Sequence, residues 1–154
     1  MANTAKAKPA TKAQTKGLTK TPAQAGSSLE SVYFEIEAIL KRHAPPFLFQ
    51  EVGVQNKKNA QLTVPKPVVI PGAYGGRPVP VQLAAVILQK GYVGLYLMCV
   101  YMNDAAKKKL PPNLRKLLQG KTCFHVKKLD DALRDDIEAA LQLGTKAYKD
   151  RGWL

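Results

Sequence analysis

The sequence predicts an α+β fold: a two-layer sandwich of an antiparallel sheet, with N- and C-terminal helices on one of its faces. Three observations lead to this prediction. A serine-led capping motif precedes an apolar run with helical spacing that starts at Leu29. Two strongly apolar segments, 81–89 and 92–101, are joined by a tight turn at Lys90-Gly91. An alternating segment at 121–128 leads into a final helical run with an acidic start.

The first helix is predicted over about residues 28–43. Ser27-Ser28-Leu29-Glu30 matches a capping box, in which Ser27 accepts a backbone hydrogen bond and Glu30 reaches back. Pro45-Pro46 ends the helix, because proline lacks the backbone N–H that a helix needs. The apolar positions that follow the cap at helical spacing are Leu29, Val32, Tyr33, Ile36, Ile39 and Leu40.

A β region follows the first helix. Residues 48–55 alternate, and 56–59 have the composition of a hairpin turn. Two short strands, 61–64 and 66–70, carry prolines at their margins, which favours positions at sheet edges. A loop over 71–78 then leads to the two strongest strands, 81–89 and 92–101.

The last third of the chain is predicted to hold a short helix, a strand and a long helix. Residues 103–110 are polar and basic, and Pro111-Pro112-Asn113 begins a short helix over 113–119 that Gly120 stops. Alternation predicts the last strand over 121–128. Asp130 or Asp131 caps the final helix, whose apolar positions are Leu133, Ile137, Leu141 and Tyr148.

Composition divides the chain into a tail and one domain. The chain has 154 residues, of which 45% are hydrophobic, so one domain with a real core is expected. Residues 1–26 hold five lysines, no acidic residue and few large apolar side chains. Such a segment cannot bury enough surface to offset its ordering entropy. We therefore predict a disordered basic tail over 1–26 and a single domain over 27–154.

The apolar and cysteine content indicates a cytoplasmic protein. The longest apolar region, 79–101, is interrupted by glutamine, lysine and glycine, so no membrane-spanning run is predicted. Cys99 and Cys123 do not make a disulfide framework, and free thiols suit a reducing compartment.

The charge of the chain indicates an anionic partner. Lysine and arginine number 24 against 11 acidic residues, a net charge of +13. Without the five lysines of the tail, 19 basic residues still face the same 11 acids. A surface of this kind attracts polyanions, so nucleic acid or another polyanion is the expected partner.

Two segments resemble those of the YdhG-like family of domains of unknown function. They are Gln89-Lys90-Gly91-Tyr92-Val93-Gly94-Leu95-Tyr96-Leu97-Met98 and Gly120-Lys121-Thr122-Cys123-Phe124-His125-Val126-Lys127-Lys128, followed by Tyr148-x-x-Arg151-Gly152-Trp153. The likeness covers about residues 29–154. The resemblance implies a YdhG-like fold with an architecture similar to that of frataxins, and it implies no agreed activity.

The frataxin-like architecture also implies an alternative function, iron binding or iron delivery. Proteins of that architecture bind iron through an acidic ridge on the first helix and first strand. Here the first helix carries Glu30, Glu35 and Glu37, but it ends in Lys41-Arg42, which departs from an acidic ridge. The resemblance therefore gives an incomplete set of carboxylate ligands.

Cys123 and His125 are the candidates for reactive chemistry or for metal binding. They lie two apart on a predicted strand, so both side chains leave the same face, with Lys121 and Lys127. The alternate residues Thr122, Phe124 and Val126 are predicted to point the other way, into the core. A thiol beside an imidazole and ammonium groups could be a nucleophile or a ligand. The spacing does not match a zinc finger or ribbon, and no third orienting group can be assigned. The alternative is a structural strand with a half-buried cysteine.

Two aromatic residues, with Met98, suggest a stacking surface. Tyr92, Tyr96 and Met98 share one face of their predicted strand, where a planar ligand or a base could stack. If helices cover that face, the same residues are a second packing layer.

Basic residues suggest an anion-binding patch. If the short helix packs near the last strand, the basic residues of the two elements and of the segment before them form one surface. Arg77, beside the glycine-containing loop 72–76, is a further anion contact. The candidate residues are Arg77, Lys107, Lys108, Arg115, Lys121 and Lys127, with Tyr92 and Tyr96.

These observations together predict a non-enzymatic binding or accessory module. Its predicted contact surface is the basic face together with the 71–78 loop. Its predicted ligand is an anion or a nucleic acid, and no cofactor is predicted. The carboxylates at the start of the last helix are expected to complement the helix dipole.

Overall fold

The computed structural model describes residues 28–53 and 56–154. The predicted tail over 1–26, the capping role of Ser27 and the end of the 48–55 strand lie outside the described residues.

The first helix, α1, spans Leu29–Arg42. Its N-cap is Ser28, whose hydroxyl accepts a hydrogen bond from the Ser31 backbone N–H at 3.1 Å. The serine that caps the helix is therefore one residue later than the capping box predicts. The helically spaced apolar residues point into the core, and Val32, Ile36 and Leu40 are fully buried.

The central sheet is antiparallel and has six strands in the order β1-β2-β5-β6-β8-β7. Two further strands, β3 and β4, pair with each other in a small separate sheet. The strand bounds are Leu48–Glu51 (β1), Asn59–Thr63 (β2), Val68–Val69 (β3), Pro78–Val79 (β4), Gln82–Leu88 (β5), Val93–Leu97 (β6), Leu118–Gln119 (β7) and Cys123–Val126 (β8).

The remaining helices follow β6. They are α2 over Met98–Tyr101, α3 over Asp104–Lys108, α4 over Pro112–Lys116 and α5 over Asp131–Asp150. A single 3₁₀ turn, Tyr74–Gly76, lies between β3 and β4. No helix of the described residues is long and apolar enough to cross a membrane.

The predicted α+β class, a two-layer sandwich with terminal helices against an antiparallel sheet, is confirmed. Helices α1 and α5 both contact β5 and are joined by ion pairs, so they form one layer. The core between this layer and the sheet includes Leu62, Val86, Leu95, Phe124 and Ile137, each fully buried.

Several predicted boundaries differ from the structure. The strand predicted over 92–101 ends at Leu97, and Met98 begins α2. The segment 103–110, described from its sequence only as polar and basic, contains α3. The short helix predicted over 113–119 ends at Lys116, so that Gln119 lies in β7. Gly120 does not stop that helix; its φ of +75° serves the turn from β7 to β8.

Gly144 lets α5 approach the sheet closely. A Cβ at this position would lie 2.7 Å from Leu83 Cδ1 and 2.9 Å from Cys99 Sγ. Near the end of the same helix, the buried Tyr148 hydroxyl donates a 2.8 Å hydrogen bond to the Gln82 carbonyl. The end of α5 is thereby fixed to the start of β5.

Candidate functional site

Strand β8 separates its side chains as the period of two predicts. Phe124 and Val126 are fully buried under the helices, whereas Cys123 and His125 are half-buried on the opposite face. In the neighbouring strand, Tyr96 pairs with Cys123 and Gly94 pairs with His125. The alternating pattern therefore predicted correctly which residues of β8 leave the core.

Three aromatic rings meet on the face of the sheet opposite α1 and α5. The rings of Tyr92 and His125 stack with centroids 3.7 Å apart and an interplanar angle of 16°. The ring of Tyr96 lies against Gly94, since a Cβ there would be only 3.0 Å from Tyr96 Cε2. We call Tyr92, Tyr96 and His125 the aromatic cluster. Gly94, which makes room for it, was not singled out from the sequence.

Met98 is absent from this cluster. The prediction that it shares the face of Tyr92 and Tyr96 is wrong, because β6 ends one residue earlier and Met98 starts α2. It lies instead with Met102 and Tyr101 in a separate hollow.

Cys123 and His125 share a face but do not form a catalytic pair in the described residues. The His125 ring is stacked on Tyr92, and no hydrogen bond joins it to the thiol in the described part of the chain. The thiol adjoins Tyr96 instead: burial first, and then this thiol, raises the pKa of Tyr96 to about 12. Cys99, the other cysteine, is buried, and burial raises its pKa to about 11.

Basic side chains converge at the edge of the sheet next to this cluster. Lys116 from α4, and Lys127 and Lys128 from the segment after β8, line a depression of about 640 Å³ together with His125. We call this depression the basic hollow. Its other lining residues are Asn113, Leu117, Gln119, Asp130, Ala132 and Leu133.

A carboxylate of α5 positions α4 at this hollow. Asp136 Oδ2 accepts hydrogen bonds from the backbone N–H groups of Asn113 and Leu114, at 2.9 and 3.1 Å. The two N–H groups belong to the first turn of α4, where no helix carbonyl can accept from them. Asp136 takes the place of a cap, because α4 has no side-chain cap of its own. Asp130, the one acidic side chain in the described part of the chain that lines the hollow, accepts from the Leu133 N–H at 2.8 Å as the cap of α5.

The other predicted basic contacts lie elsewhere. Lys107 and Lys108 are exposed on α3, and neither lines the basic hollow. The Arg115 guanidinium donates to the carbonyls of Lys108 and Leu110, at 2.6 and 2.7 Å, which fixes the connection between α3 and α4. The basic residues are dense in sequence, but they form no single patch around the hollow.

The last two basic candidates, Lys121 and Arg77, do not line the basic hollow. Lys121 lies in the turn before β8, with its Nζ 5.8 Å from the centre of the Tyr101 ring. Arg77 follows the 3₁₀ turn and is exposed. The 71–78 loop borders a mainly apolar hollow of about 780 Å³ with Tyr74 and Tyr101 in its wall. That hollow shares no lining residue with the basic hollow.

The carboxylates of α1 are engaged with other side chains. Glu30 pairs with Lys58, and Glu35 pairs with Arg134 of α5. Glu37 is buried beside Tyr33, and burial first, followed by Glu37 and Glu51, raises the pKa of Tyr33 to about 12. Within residues 28–53 and 56–154, no three His, Cys, Asp or Glu side chains are grouped to hold a metal ion. This arrangement does not favour the iron-binding alternative.

Comparison of the chain with protein-family models, with curated proteins and with solved structures gave no match in any of the three. The resemblance to the YdhG-like family therefore stays a prediction.

Proposed function

We propose that this domain is a non-enzymatic binding module that holds a polyanion, foremost a nucleic acid, at the basic hollow. One observation carries the proposal: Lys116 of α4 and the pair Lys127 and Lys128 after β8 converge on one depression. Among the described residues, the only carboxylate that lines this depression already serves as the cap of α5. The hollow is thus a place where phosphate groups meet several ammonium groups at once.

The electrostatics of the whole chain support the same function. None of the ion pairs between described residues uses Lys116, Lys127 or Lys128. Ammonium groups without a carboxylate partner are available to phosphates, and each phosphate contact releases condensed counterions. The net charge of +13 would add long-range attraction to this local site.

The proposed role includes a cytoplasmic location and no catalytic activity. Two free cysteines suit a reducing compartment. The buried Cys99 thiol, with its pKa raised to about 11, is not a nucleophile at neutral pH. His125, the expected partner of Cys123, has its ring on Tyr92.

The test is a fluorescence-anisotropy titration of a labelled single-stranded oligonucleotide with the full chain, across a salt series. The triple variant Lys116→Gln, Lys127→Gln, Lys128→Gln removes the ammonium groups of the hollow. We expect its dissociation constant to rise at least tenfold at low salt. The slope of log affinity against log salt should fall by about two, since each contact to a single strand contributes about 0.7.

A matched variant separates the hollow from overall charge. Lys66→Gln, Lys109→Gln, Lys149→Gln removes the same charge at exposed positions that do not line the hollow. We expect it to change the dissociation constant by less than about threefold. Equal losses in the two triple variants would mean that binding follows net charge, and binding that ignores added salt would refute the proposal.

A further inference from the structure

The face of the sheet that carries the aromatic cluster is not covered by α1 or α5. These two helices pack on the opposite face, and Tyr92, Tyr96 and His125 all remain partly exposed. By register, the strands as described over residues 28–53 and 56–154 place no carboxylate on this face, since Glu51 of β1 is opposite the buried Ala60 and belongs to the helix side. An anionic ligand therefore meets no opposing charge from the strands here.

Gly94 determines how Tyr96 is presented. Because Gly94 has no side chain, the Tyr96 ring can lie against the strand, where a Cβ would come within 3.0 Å of it. Tyr96 is only half-buried, so part of its side chain stays accessible to a ligand. With a pKa of about 12, Tyr96 is neutral at physiological pH and does not repel a phosphate-bearing ligand.

Amide groups continue the surface beyond the rings. Gln82 Nε2 donates to Gln61 Oε1 at 2.6 Å, and Gln61 Nε2 donates to Gln50 Oε1 at 3.1 Å. Gln61 and Tyr96 are both register partners of Ala85, so this row of amides lies next to the aromatic cluster. An amide carries both donors and an acceptor, so it can hydrogen-bond to either kind of group on a base edge.

The aromatic cluster adjoins the basic hollow. His125 belongs to both, since its ring stacks on Tyr92 and it also lines the hollow. Lys127 follows Val126, the register partner of Val93, and so it lies beside Tyr92 at the end of the strand pair. A ligand with flat rings next to phosphates can use both features at once.

We propose that the ligand of this module is a single-stranded nucleic acid whose unpaired bases stack on the aromatic cluster. This inference rests on the proposed function, because the backbone phosphates would occupy the basic hollow. In a duplex the base faces are stacked inside the helix and cannot reach tyrosine rings. Stacking on Tyr96, and on the Tyr92–His125 pair, would be tolerant of sequence because every base has a π-face.

The experiment compares three labelled dodecamers at one salt concentration with the full chain: a mixed-sequence single strand, the same strand annealed to its complement, and a fully abasic strand. The abasic strand keeps the phosphates and lacks the bases. We expect the single strand to bind at least tenfold more tightly than the abasic strand, given the usual strength of base–aromatic stacking. DNA and RNA versions of the single strand show which sugar is preferred.

Variants of the aromatic cluster test whether its tyrosine rings are the groups on which the bases stack. We expect each of the variants Tyr96→Leu and Tyr92→Leu to weaken binding of the single strand about tenfold, toward the affinity of the abasic strand. The affinity for the abasic strand itself should stay unchanged. Tyr74→Leu is the matched control, since Tyr74 is 66% exposed and lies outside the sheet face. It should bind all three dodecamers as the unaltered chain does.

A second measurement needs no variant. On addition of the unlabelled single strand, the ring-proton resonances of Tyr92, Tyr96 and His125 should shift upfield, because a stacked base adds its ring current. The abasic strand should leave these resonances in place.

The outcomes distinguish this inference from the function on which it rests. Equal binding of single and abasic strands, or duplex binding as tight as single-strand binding, overturns the stacking of bases and leaves the proposed polyanion binding intact. Binding of none of the three dodecamers overturns both.

Discussion

At the scale of single residues, Gly152 shows how the C-terminal sequence determines a local structure. Gly152 has φ +74° directly after the C-cap Arg151. Its N–H donates to the Lys149 carbonyl at 2.9 Å, and the Trp153 N–H donates to the Tyr148 carbonyl at 3.0 Å. These are the two hydrogen bonds of a Schellman motif, and the rings of Tyr148 and Trp153 supply its apolar contact, with centroids 5.1 Å apart.

This conformation leads to a prediction for Gly152→Ala. An alanine in the left-handed region costs about 1–2 kcal/mol, so we expect the free energy of unfolding in urea to fall by about that amount. Gly91→Ala is the control, because Gly91 has an ordinary φ and open space around it. It should change stability by less than about 1 kcal/mol, or raise it slightly. Equal losses in the two variants would contradict the role of the positive φ.

At the scale of elements, the packing of α5 on the sheet depends on Gly144. An added Cβ would lie 2.7 Å from Leu83 Cδ1 and 2.9 Å from Cys99 Sγ, and both neighbours are buried. We expect Gly144→Ala to reduce the free energy of unfolding, since overpacking a core costs about 1–3 kcal/mol. Alanine gains about 1 kcal/mol of helix propensity over glycine, so the net loss should be about 0–2 kcal/mol.

A control at an exposed position of α5 measures how much helix propensity alone changes the free energy of unfolding. Ala139 is exposed, so Ala139→Gly should cost about 1 kcal/mol through propensity alone. Urea unfolding of both variants would check the argument. A Gly144→Ala variant more stable than the unaltered chain would mean that α5 moves away from the sheet at little cost.

Elements with a strong local pattern were predicted well, and those defined by packing were not. The two-residue period of β8 predicted the buried Phe124 and Val126 without knowledge of the fold. The end of β6 at Leu97 was missed, because residues 98–101 are as apolar and β-favouring as the strand before them. Cys99 packs against Gly144, which lies 45 positions further along the chain, and no local pattern reveals such a contact.

The same distinction applies to the candidate site at the scale of the whole molecule. The sequence placed Tyr92, Tyr96 and His125 on strand faces, but it did not show that the strands carrying them are neighbours. The hollow depends on Asp136 of α5, which binds the N–H groups of Asn113 and Leu114. That contact brings Lys116 to the end of β8, and a count of lysines cannot predict it.

At the scale of the whole molecule, charged contacts also join the end of the first helix and its C-cap to the last helix, across 96 and 95 residues of chain. Glu138 of α5 accepts from Arg42 Nε at 3.0 Å, and its second carboxylate oxygen is 2.7 Å from His43 Nε2. Burial acts to raise the pKa of Glu138, but hydrogen bonds from Arg42 and His43 outweigh it and hold the pKa below the ordinary value of 4.5. The ionised form of Glu138 therefore stabilises the folded state.

We expect this contact to make stability depend on pH. A carboxylate with a lowered folded pKa contributes stability above its unfolded pKa, and the contribution is lost as pH falls through the folded pKa. Glu138→Gln should cost about 1 kcal/mol at pH 7, since hydrogen bonds to charged groups are moderately strong and Arg42 is well exposed. The difference from the unaltered chain should shrink as pH falls below 4.5, the ordinary value.

Urea unfolding of both proteins from pH 7 to pH 3 measures this difference. Glu30→Gln is the matched control, because the Glu30 pair with Lys58 is exposed on both sides and should contribute less than about 0.5 kcal/mol at any pH. A loss in Glu138→Gln that stays constant down to pH 3 would show that the glutamine disturbs packing rather than charge. A loss that disappears on acidification would show that the ionised Glu138 holds α5 to α1 over the sheet, so that the layer opposite the aromatic cluster is closed by charge as well as by its apolar core.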